Sequence, residues 1–395
     1  MKTKITDTIY YLGVNDRRKH LFENMWPLPH GVAYNSYLIN DAKTALIDTI
    51  ETTVAGNYLD AVAALLENRP LDYLIINHME PDHSGMIGAL CNRYPQMQLV
   101  GNSKTKKMVE AFFGLSEKMI EVSDGALLHL GQHTLKFVFT PWVHWPETMM
   151  TYETTEQMLF SCDAFGSFGA LNGGIFDDEI DFDFFYKEEM LRYYSNIVGK
   201  YSNMVQKAFA KLNGVPLRYI CPSHGPVWRA EPTKVVSLYD QWSKHQALEG
   251  VVIAFASMYG HTEQMADYIA QKIAALGIRH IRVYDVSKTH ISYILKDIWK
   301  YRGVILGSCA YNSGMHPMMA HLCHELEVIT PKDKVYALFG SCAWSGGGVK
   351  SLQTFATASG WEELCAPIEV LGAPTLEKLS LCETLAQVMA ARIKK

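Results

Sequence analysis

The sequence predicts an α/β protein of two domains, in which a layered domain of short strands precedes a doubly wound parallel sheet. Its 395 residues are too many for one ordinary core. Short β-rich runs dominate the first half, whereas strands and helices alternate from about residue 248 onward. We therefore expect one domain over residues 1–249 and a second over residues 250–395, without a long linker between them.

Four strands of the first half run directly into polar clusters. In sequence these are LIINH into MEPDHSG, FVFTP into WVHWPE, LFSCD into AFGSFG, and RYICP into SHGPVW. Side chains at strand ends, and on the loops that follow them, commonly form the site of a layered α/β fold. We therefore expect these four clusters to meet at one site.

The second half begins with a strand, a loop and an amphipathic helix in VVIAFASMYGHTEQMADYIAQKIAALG. Four more strands follow, with helical stretches between them: IRVYDV, GVILGS, VYALFGS and EVLGAP. Five strands with intervening helices in about 145 residues predict a doubly wound parallel sheet. Ligands of such sheets bind at the carboxyl ends of the strands.

Composition narrows the classes of partner. The formal net charge is -5, and lysine and arginine are dispersed among acidic residues, so neither nucleic acid nor an anionic membrane is an expected partner. No apolar run is long enough for a signal peptide or a membrane span, which favours a cytoplasmic protein. The eight cysteines form no C-x-x-C pair, so free thiols are expected.

Seven residues of metal-binding type occupy the four polar clusters. They are His78, Glu80, Asp82, His83, His144, Asp163 and His224. A lone histidine is more often structural, but four ligand-type residues within six positions, with three more at strand ends, suffice to hold two metals. A carboxylate at Glu80 favours a harder, redox-versatile ion such as iron over zinc. Gly85 is expected to be the pivot of the first cluster.

Three loops of the second half are expected to line a second site. The first comprises Ser257, Met258, Tyr259, Gly260, His261 and Thr262, and its hydroxyls, amides and following helix can hold a phosphate. The others comprise Ser308, Cys309, Ala310, Tyr311 and Asn312, and Ser341, Cys342, Ala343, Trp344, Ser345, Gly346, Gly347 and Gly348. Trp344 could stack on a ring while the glycines allow close backbone approach, although singly such a loop is more often only a turn.

The metal pattern resembles the H-x-H-x-D-H motif of the metallo-β-lactamase superfamily, with Glu80 in place of the second histidine. That change, with the same later spacings, resembles the flavodiiron proteins, and the first loop of the second half resembles the flavodoxin phosphate loop, which selects FMN. The resemblance implies an αββα metallo-β-lactamase-like sandwich followed by a flavodoxin-like domain.

The resemblance also implies a role for each ligand. His78, Glu80 and His144 would bind one iron, Asp82, His83 and His224 the other, and Asp163 would bridge them. His30 and one of Tyr193 and Tyr194 resemble a histidine and a tyrosine beside the diiron pocket, where a polar donor could assist catalysis. The alternative is that His30 caps a turn and both tyrosines pack a helix.

The implied activity is reduction of O2 to water or of NO to N2O, with electrons passing through FMN from rubredoxin or a similar small donor. A head-to-tail homodimer, or a dimer of such dimers, would bring one subunit's FMN to the other's irons.

Two departures from the family are His261, where asparagine is usual, and a second loop without the usual proline and threonine. A dinuclear-metal hydrolase, and an electron-transfer or gas-sensing flavoprotein, remain alternatives.

Overall fold

The computed structural model describes residues 2–394, and its chain divides into two compact units between Ser243 and Lys244. The expected domain boundary at residue 249 stays a prediction. Both units are built from helices and sheets, which confirms the predicted α/β class. Among residues 2–394, no helix combines the length and the apolar character that crossing a membrane requires. All eight cysteines are free thiols, as expected.

Over residues 2–243, the first unit shows fourteen strands and eight α-helices. The strands are β1 (Lys2–Lys4), β2 (Ile9–Asp16), β3 (Leu21–Phe22), β4 (Trp26–Pro27), β5 (Val32–Asn40), β6 (Thr44–Ile47), β7 (Tyr73–Ile75), β8 (Gln98–Gly101), β9 (Met119–Glu121), β10 (Leu127–His129), β11 (Thr134–Phe139), β12 (Met149–Glu153), β13 (Met158–Cys162) and β14 (Tyr219–Pro222). The helices are α1 (Tyr58–Leu66), α2 (Pro81–Ser84), α3 (Ile87–Arg93), α4 (Ser103–Phe113), α5 (Phe182–Phe185), α6 (Lys187–Tyr193), α7 (Ser202–Leu212) and α8 (Pro232–Ser243).

Two sheets form the centre of this unit. One has the strand order β1-β2-β5-β6-β7-β8-β9 and the other β10-β11-β12-β13-β14. Tyr37 on β5 packs against Phe160 on β13, with ring centroids 5.2 Å apart, so the sheets face each other. Strands β12, β13 and β14 are buried along their whole length, as expected for strands covered on both faces. The predicted αββα sandwich is confirmed.

Strand direction explains why the four polar clusters can meet. In the second sheet, β12 is antiparallel to both β11 and β13, and β14 is parallel to β13. Strands β11, β13 and β14 therefore run the same way and end at one edge. In the first sheet, β7 is parallel to both β6 and β8. The carboxyl ends of β7, β11, β13 and β14 each lead into one of the four clusters.

In the described part of the second unit, residues 244–394, there are seven strands and five helices. The strands are β15 (Leu248–Ala256), β16 (Ile281–Asp285), β17 (Tyr301–Tyr311), β18 (Gly314–Met315), β19 (Val335–Cys342), β20 (Glu362–Glu363) and β21 (Ile368–Leu371). The helices are α9 (His261–Ala275), α10 (Ile291–Lys300), α11 (Pro317–Ile329), α12 (Gly348–Ser359) and α13 (Leu376–Ile393).

The main sheet of this unit is parallel, in the order β16-β15-β17-β19, with β20 and β21 both beside β19. Taken as five successive strands, this is the 2-1-3-4-5 order of flavodoxin-like sheets. Apolar side chains of β15, β17 and β19, such as Ile253, Ile305 and Ala337, pack in one core with Ile269 of α9 and Leu385 of α13. The predicted doubly wound sheet is confirmed.

Candidate functional site

A short turn of helix places the first group of metal-binding residues. Pro81 occupies the first position of α2, where its missing N–H removes no hydrogen bond and its fixed φ suits the helix. The Ser84 hydroxyl donates to the carbonyl of Met79 at 2.8 Å and so ties the end of α2 to the loop that precedes it. Glu80 precedes this turn, and Asp82 and His83 lie within it.

Gly85 does not turn the chain in the way expected. Its φ is -57° and its conformation is helical, so no left-handed pivot exists there. A Cβ at this position would lie 2.7 Å from the Pro81 carbonyl oxygen and 3.1 Å from that of Ile50. Glycine is therefore needed for close packing of two backbone segments rather than for a turn.

The remaining three residues follow strands of the second sheet. His144 lies on the loop after β11, Asp163 directly follows β13, and His224 lies just after β14. Cys162, immediately before Asp163, has a φ of 55°, a left-handed conformation that is uncommon for a residue other than glycine. Such local strain concentrates at functional sites and is held here by the surrounding sandwich.

The first metal-binding group consists of His78, Glu80, His144 and one oxygen of Asp163. His78 Nε2 lies 3.3 Å from Glu80 Oε2 and 3.3 Å from Asp163 Oδ2. His144 Nε2 lies 3.1 Å from the same Glu80 oxygen and 3.3 Å from the same Asp163 oxygen. Two imidazole nitrogens and two carboxylate oxygens thus converge on one small volume.

The second group consists of Asp82, His83, His224 and the other oxygen of Asp163. His83 Nε2 lies 3.0 Å from Asp163 Oδ1 and 3.4 Å from Asp82 Oδ1. His224 Nε2 lies 3.4 Å from Asp163 Oδ1 and 3.3 Å from Asp82 Oδ2. Each oxygen of Asp163 therefore faces a different group, as a bridging carboxylate would.

The donor atoms of the second group fit bound cations. Both oxygens of Asp82 and Asp163, and the Nε2 atoms of His83 and His224, are buried without a hydrogen-bond partner of good geometry. Buried polar atoms rarely remain unpartnered unless they bind a group such as an ion. These nitrogen and carboxylate donors are suited to iron.

The electrostatics of the cluster indicate the same need for positive charge. Burial opposes protonation of His144, but hydrogen bonds to Asp163 and Glu80 outweigh it and raise the pKa of His144 to about 9. Bonds to Asp163 and Asp82 likewise outweigh burial and raise the pKa of His224 to about 10. Three buried carboxylates thus draw protons onto the imidazoles, in the position where metal ions would supply the charge.

Two of the histidines are oriented by a hydrogen bond at Nδ1. Glu147 Oε1 lies 2.7 Å from His78 Nδ1 and also accepts the N–H of Met79 at 3.0 Å. The Ala33 carbonyl lies 2.8 Å from His224 Nδ1. With Nδ1 engaged, each Nε2 is left to face the cluster, which is the usual support of a metal-bound histidine. Glu147 was not predicted as a functional residue, although it is the glutamate of the HWPE cluster.

The structure brings Glu23, rather than His30, to the edge of the cluster. Glu23 lies on the turn between β3 and β4 and accepts a hydrogen bond from Trp26 Nε1 at 3.1 Å. Glu23 is exposed as a whole residue, but partial burial of its carboxyl group and the nearby Glu80 carboxylate raise the pKa of Glu23 to about 7, against the opposing effect of His144. The side chain of His30 is exposed on the loop after β4, where no contact with the ligands is described. A catalytic role for His30 therefore stays a prediction without support from this geometry.

Tyr193 and Tyr194 occupy different surroundings. The Tyr193 ring packs 5.5 Å from the His224 ring, and its buried hydroxyl has no hydrogen-bond partner. Burial and the charges of Asp163, Asp82 and Glu80 hold the pKa of Tyr193 well above its ordinary value. Tyr194 instead exchanges a hydrogen bond with Ser202 at 2.9 Å and packs against Tyr239 at 4.9 Å. Of the two, Tyr193 is the tyrosine beside the metal-binding groups.

The second unit has a cleft of about 350 Å³ at the carboxyl ends of its strands. All three predicted loops contribute to its wall. The lining residues are Ser257, Met258, Tyr259, His261, Cys309, Ala310, Tyr311, Asn312, Ser313, Ser341, Cys342, Ala343, Trp344, Ser345 and Gly372. Tyr259 and Trp344 are 90% and 87% exposed, so two aromatic faces are free to cover a flat ligand. Gly372 was missed, although it follows the last strand in the same way.

Six predicted residues shape the loops without lining this cleft: Gly260, Thr262, Ser308, Gly346, Gly347 and Gly348. The Thr262 hydroxyl pairs with that of Ser341 at 2.9 Å. Gly347 has a φ of 128°, and a Cβ there would lie 2.2 Å from the Ser313 carbonyl oxygen. The expected close approach of glycine is therefore to another segment of this chain, and a contact of these six residues with a cofactor stays a prediction.

Comparison with known proteins matches both units. Residues 32–225 match the ODP family of β-lactamases, and residues 253–384 match flavodoxin. The nitric oxide reductase of Moorella thermoacetica is 32% identical over 394 residues, which cover 98% of each chain. The solved structure of rubredoxin oxygen:oxidoreductase from Desulfovibrio gigas is 31% identical, with a TM-score of 0.95 over 100% of this chain and 99% of that one.

A second solved structure carries the family name directly. The flavodiiron protein of Giardia intestinalis is 25% identical, with a TM-score of 0.94 over 100% of this chain and 97% of its own. The resemblance found in the metal motif and the flavin loops is thereby confirmed over both units. This chain belongs to the flavodiiron protein family of oxidoreductases.

Proposed function

We propose that this protein reduces O2 or NO at a pair of non-haem irons, with electrons relayed through FMN. The observation that carries the proposal is the division of one buried cluster into two donor groups by the oxygens of Asp163, on a chain that also has a flavodoxin-type cleft. When bound, the irons would deliver electrons to the gas and the flavin would take electrons from the donor and pass them on singly. Each O2 reduced to two water molecules needs four electrons and four protons, and each pair of NO molecules converted to N2O and water needs two electrons and two protons.

Each ligand has an assigned place in this proposal. His78, Glu80 and His144 would hold one iron and Asp82, His83 and His224 the other, with Asp163 offering one oxygen to each. Glu147 orients His78 through Nδ1, and the Ala33 carbonyl orients His224. The three carboxylates neutralise part of the metal charge and favour the more oxidised state of the irons.

Tyr193 is the proposed donor to the bound gas. Its hydroxyl is buried, lacks a partner and belongs to a ring in contact with His224. A hydroxyl in such a position can donate a hydrogen bond to a negatively charged oxygen or nitrogen, and a water-poor pocket strengthens that interaction. Glu23, at the edge of the same cluster, adds a carboxyl on the side of Glu80.

We further propose rubredoxin or a similar small protein as the electron donor, and a head-to-tail homodimer as the working assembly. The donor is supported by the relative named rubredoxin oxygen:oxidoreductase. The assembly can be tested by mixing two preparations: Asp163→Asn, which keeps its FMN, and Trp344→Ala from which the weakly bound FMN has been stripped. Activity regained after subunit exchange indicates transfer between chains, whereas continued inactivity in mixed dimers contradicts it.

The activity itself is tested by anaerobic reduction of the full-length protein with rubredoxin, followed by O2 or NO. We expect consumption of both gases and two irons and one FMN per chain. Two zinc ions without flavin would instead support a hydrolase, and flavin reduction without gas consumption would support a non-catalytic flavoprotein. Comparison of kcat/KM for the two gases then identifies the preferred substrate, because a difference below tenfold excludes a single dedicated gas.

A further inference from the structure

Strand β5 presents a buried asparagine to the loop that carries His224. Asn35 is fully buried, and its side chain lies on the same face of the sheet as that of Tyr37, which packs against the second sheet. A buried amide in such a core is unfavourable unless its polar atoms form hydrogen bonds. The presence of Asn35 here is therefore explained by the groups that it binds.

Asn35 binds the backbone on both sides of His224. Its Nδ2 donates to the carbonyl of Pro222 at 2.9 Å and to that of Gly225 at 2.9 Å. Its backbone N–H donates to the carbonyl of Ser223 at 2.8 Å. One residue of the first sheet thus holds three carbonyls of a loop of the second sheet, two of them before His224 and one after it.

The orientation of the Asn35 amide is itself fixed. The Tyr11 hydroxyl donates to Asn35 Oδ1 at 2.8 Å, which leaves both N–H groups of the amide to face the loop. Gly13 is the partner of Asn35 in the neighbouring strand, and a Cβ on Gly13 would collide with the Tyr11 hydroxyl. The missing side chain of Gly13 therefore gives Tyr11 the room to reach Asn35.

The ring of His224 is held by the same strand as its backbone. Its Nδ1 lies 2.8 Å from the carbonyl of Ala33, two residues before Asn35 on β5. His83 is the other imidazole of the second metal-binding group, and among the described residues its Nδ1 has no hydrogen-bond partner. Hydrogen-bonded orientation of an imidazole ring in this group therefore comes from the contact between β5 and His224.

We propose that Asn35 is a positioning residue of the second metal-binding group: by fixing the loop on both sides of His224, it keeps His224 Nε2 directed toward Asp82 and Asp163. The inference rests on the proposed function, because it takes this group to bind iron. Asn35 is not itself a ligand, so its effect must pass through His224. Loss of its amide should lower metal affinity at this group more than at the other.

Anaerobic iron titration of the full-length, FMN-loaded chain tests this role. Asn35→Asp keeps the shape of the side chain but removes the amide donors, and we expect iron affinity at one of the two sites to fall about tenfold. Tyr11→Phe keeps the donors but lets the amide flip, and should lower that affinity about threefold. Tyr152→Phe removes a comparable bond, from a tyrosine hydroxyl to the Pro216 carbonyl at 2.8 Å, and should change neither site.

Combined variants identify the site that is affected. In a His224→Ala background, Asn35→Asp should cause no further loss of iron affinity, because the ligand that it positions is already gone. In a Glu147→Gln background, which alters the support of His78 instead, the loss of about tenfold should remain. A merely structural role of Asn35 would not produce this difference between the two backgrounds.

Four results would overturn the proposal: unchanged affinity at both sites in Asn35→Asp, an equal loss at both sites, a further loss in the His224→Ala background, or the absence of a loss in the Glu147→Gln background. If Asn35→Asp does not fold, unchanged affinity in Tyr11→Phe is the contradicting result. Titration with zinc separates this inference from the proposed function, because a loss at one site supports the role of Asn35 even in a chain that reduces neither O2 nor NO.

Discussion

The metal-binding cluster is buried and densely charged, whereas the flavin cleft is open and nearly neutral. No ligand residue of the cluster is more than 8% exposed, while Tyr259 and Trp344 at the cleft are about nine-tenths exposed. Buried charges need partners in fixed positions, so the sandwich must orient its ligands before metal arrives. An open neutral cleft can be ordered by its ligand. We therefore expect changes in one site to leave the other loaded.

Replacement of Asp163 with asparagine should have the largest effect. The amide cannot supply an anionic oxygen to each group, so we expect iron binding at both positions to fall and gas reduction to drop at least a hundredfold, while FMN remains bound. Metal analysis and flavin absorbance measure the two sites separately. Asp124→Asn, an exposed acid paired with Lys211, is the matched control. Full iron with normal turnover in Asp163→Asn would contradict the bridging role.

Glu147→Gln should weaken one half of the cluster without emptying it. Glutamine keeps the shape of the side chain but removes the charge beside His78 Nδ1, and loss of such support typically costs 10–100-fold in metal affinity. Anaerobic iron titration should show a larger loss of affinity at one site of each chain than at the other. Equal affinities of both irons in the variant and the wild type would show that Glu147 is not needed to orient His78.

Trp344→Ala should affect the flavin site alone. Removal of an exposed stacking surface is expected to weaken FMN about tenfold, in the range measured for aromatic stacking on bases, with iron content unchanged. Phe112→Ala removes a ring that is 59% exposed on α4 and serves as the control. A loss of iron in Trp344→Ala would break the expected independence of the two sites.

The two neighbouring tyrosines should give the smallest effects, one on turnover and the other on stability. Tyr193→Phe should lower kcat several-fold, because it removes a partnerless donor beside the cluster. Tyr194→Phe should keep kcat and lose about 1 kcal/mol of unfolding free energy, because its hydrogen bond to Ser202 is structural. Steady-state kinetics and denaturant melts distinguish them. An equal loss of kcat in both variants would contradict the assignment of a catalytic role to Tyr193 and a structural role to Tyr194.

The sequence predicts the site correctly where ligand-type residues coincide with the ends of strands. The fold class and the order of the two units were confirmed, and the seven ligand-type residues converge because parallel strand ends meet at one edge. It could not separate Tyr193 from Tyr194, because adjacent residues on a helix differ in direction by about 100° and only the packed structure shows which one faces the ligands.

The roles of other residues could not be predicted from their neighbours in the sequence. Glu23 is one acid on a polar turn, and nothing in its neighbours indicates that the turn reaches Glu80. His30 was predicted because it resembles a family position beside the diiron pocket, yet its side chain is exposed. Gly85 and Gly347 looked like pivots or points of cofactor approach, but their nearest obstacles are carbonyl groups of distant segments of the chain. Such contacts depend on the tertiary structure.

The two oxygens of Asp163 have a consequence for how the protein is assembled with iron. A carboxylate that faces two ligand groups belongs to both sites, so an ion bound to one of its oxygens changes the negative charge that the other oxygen offers to a second ion. The two sites are therefore coupled, and we expect the loss of one iron to alter the affinity of the site that remains loaded.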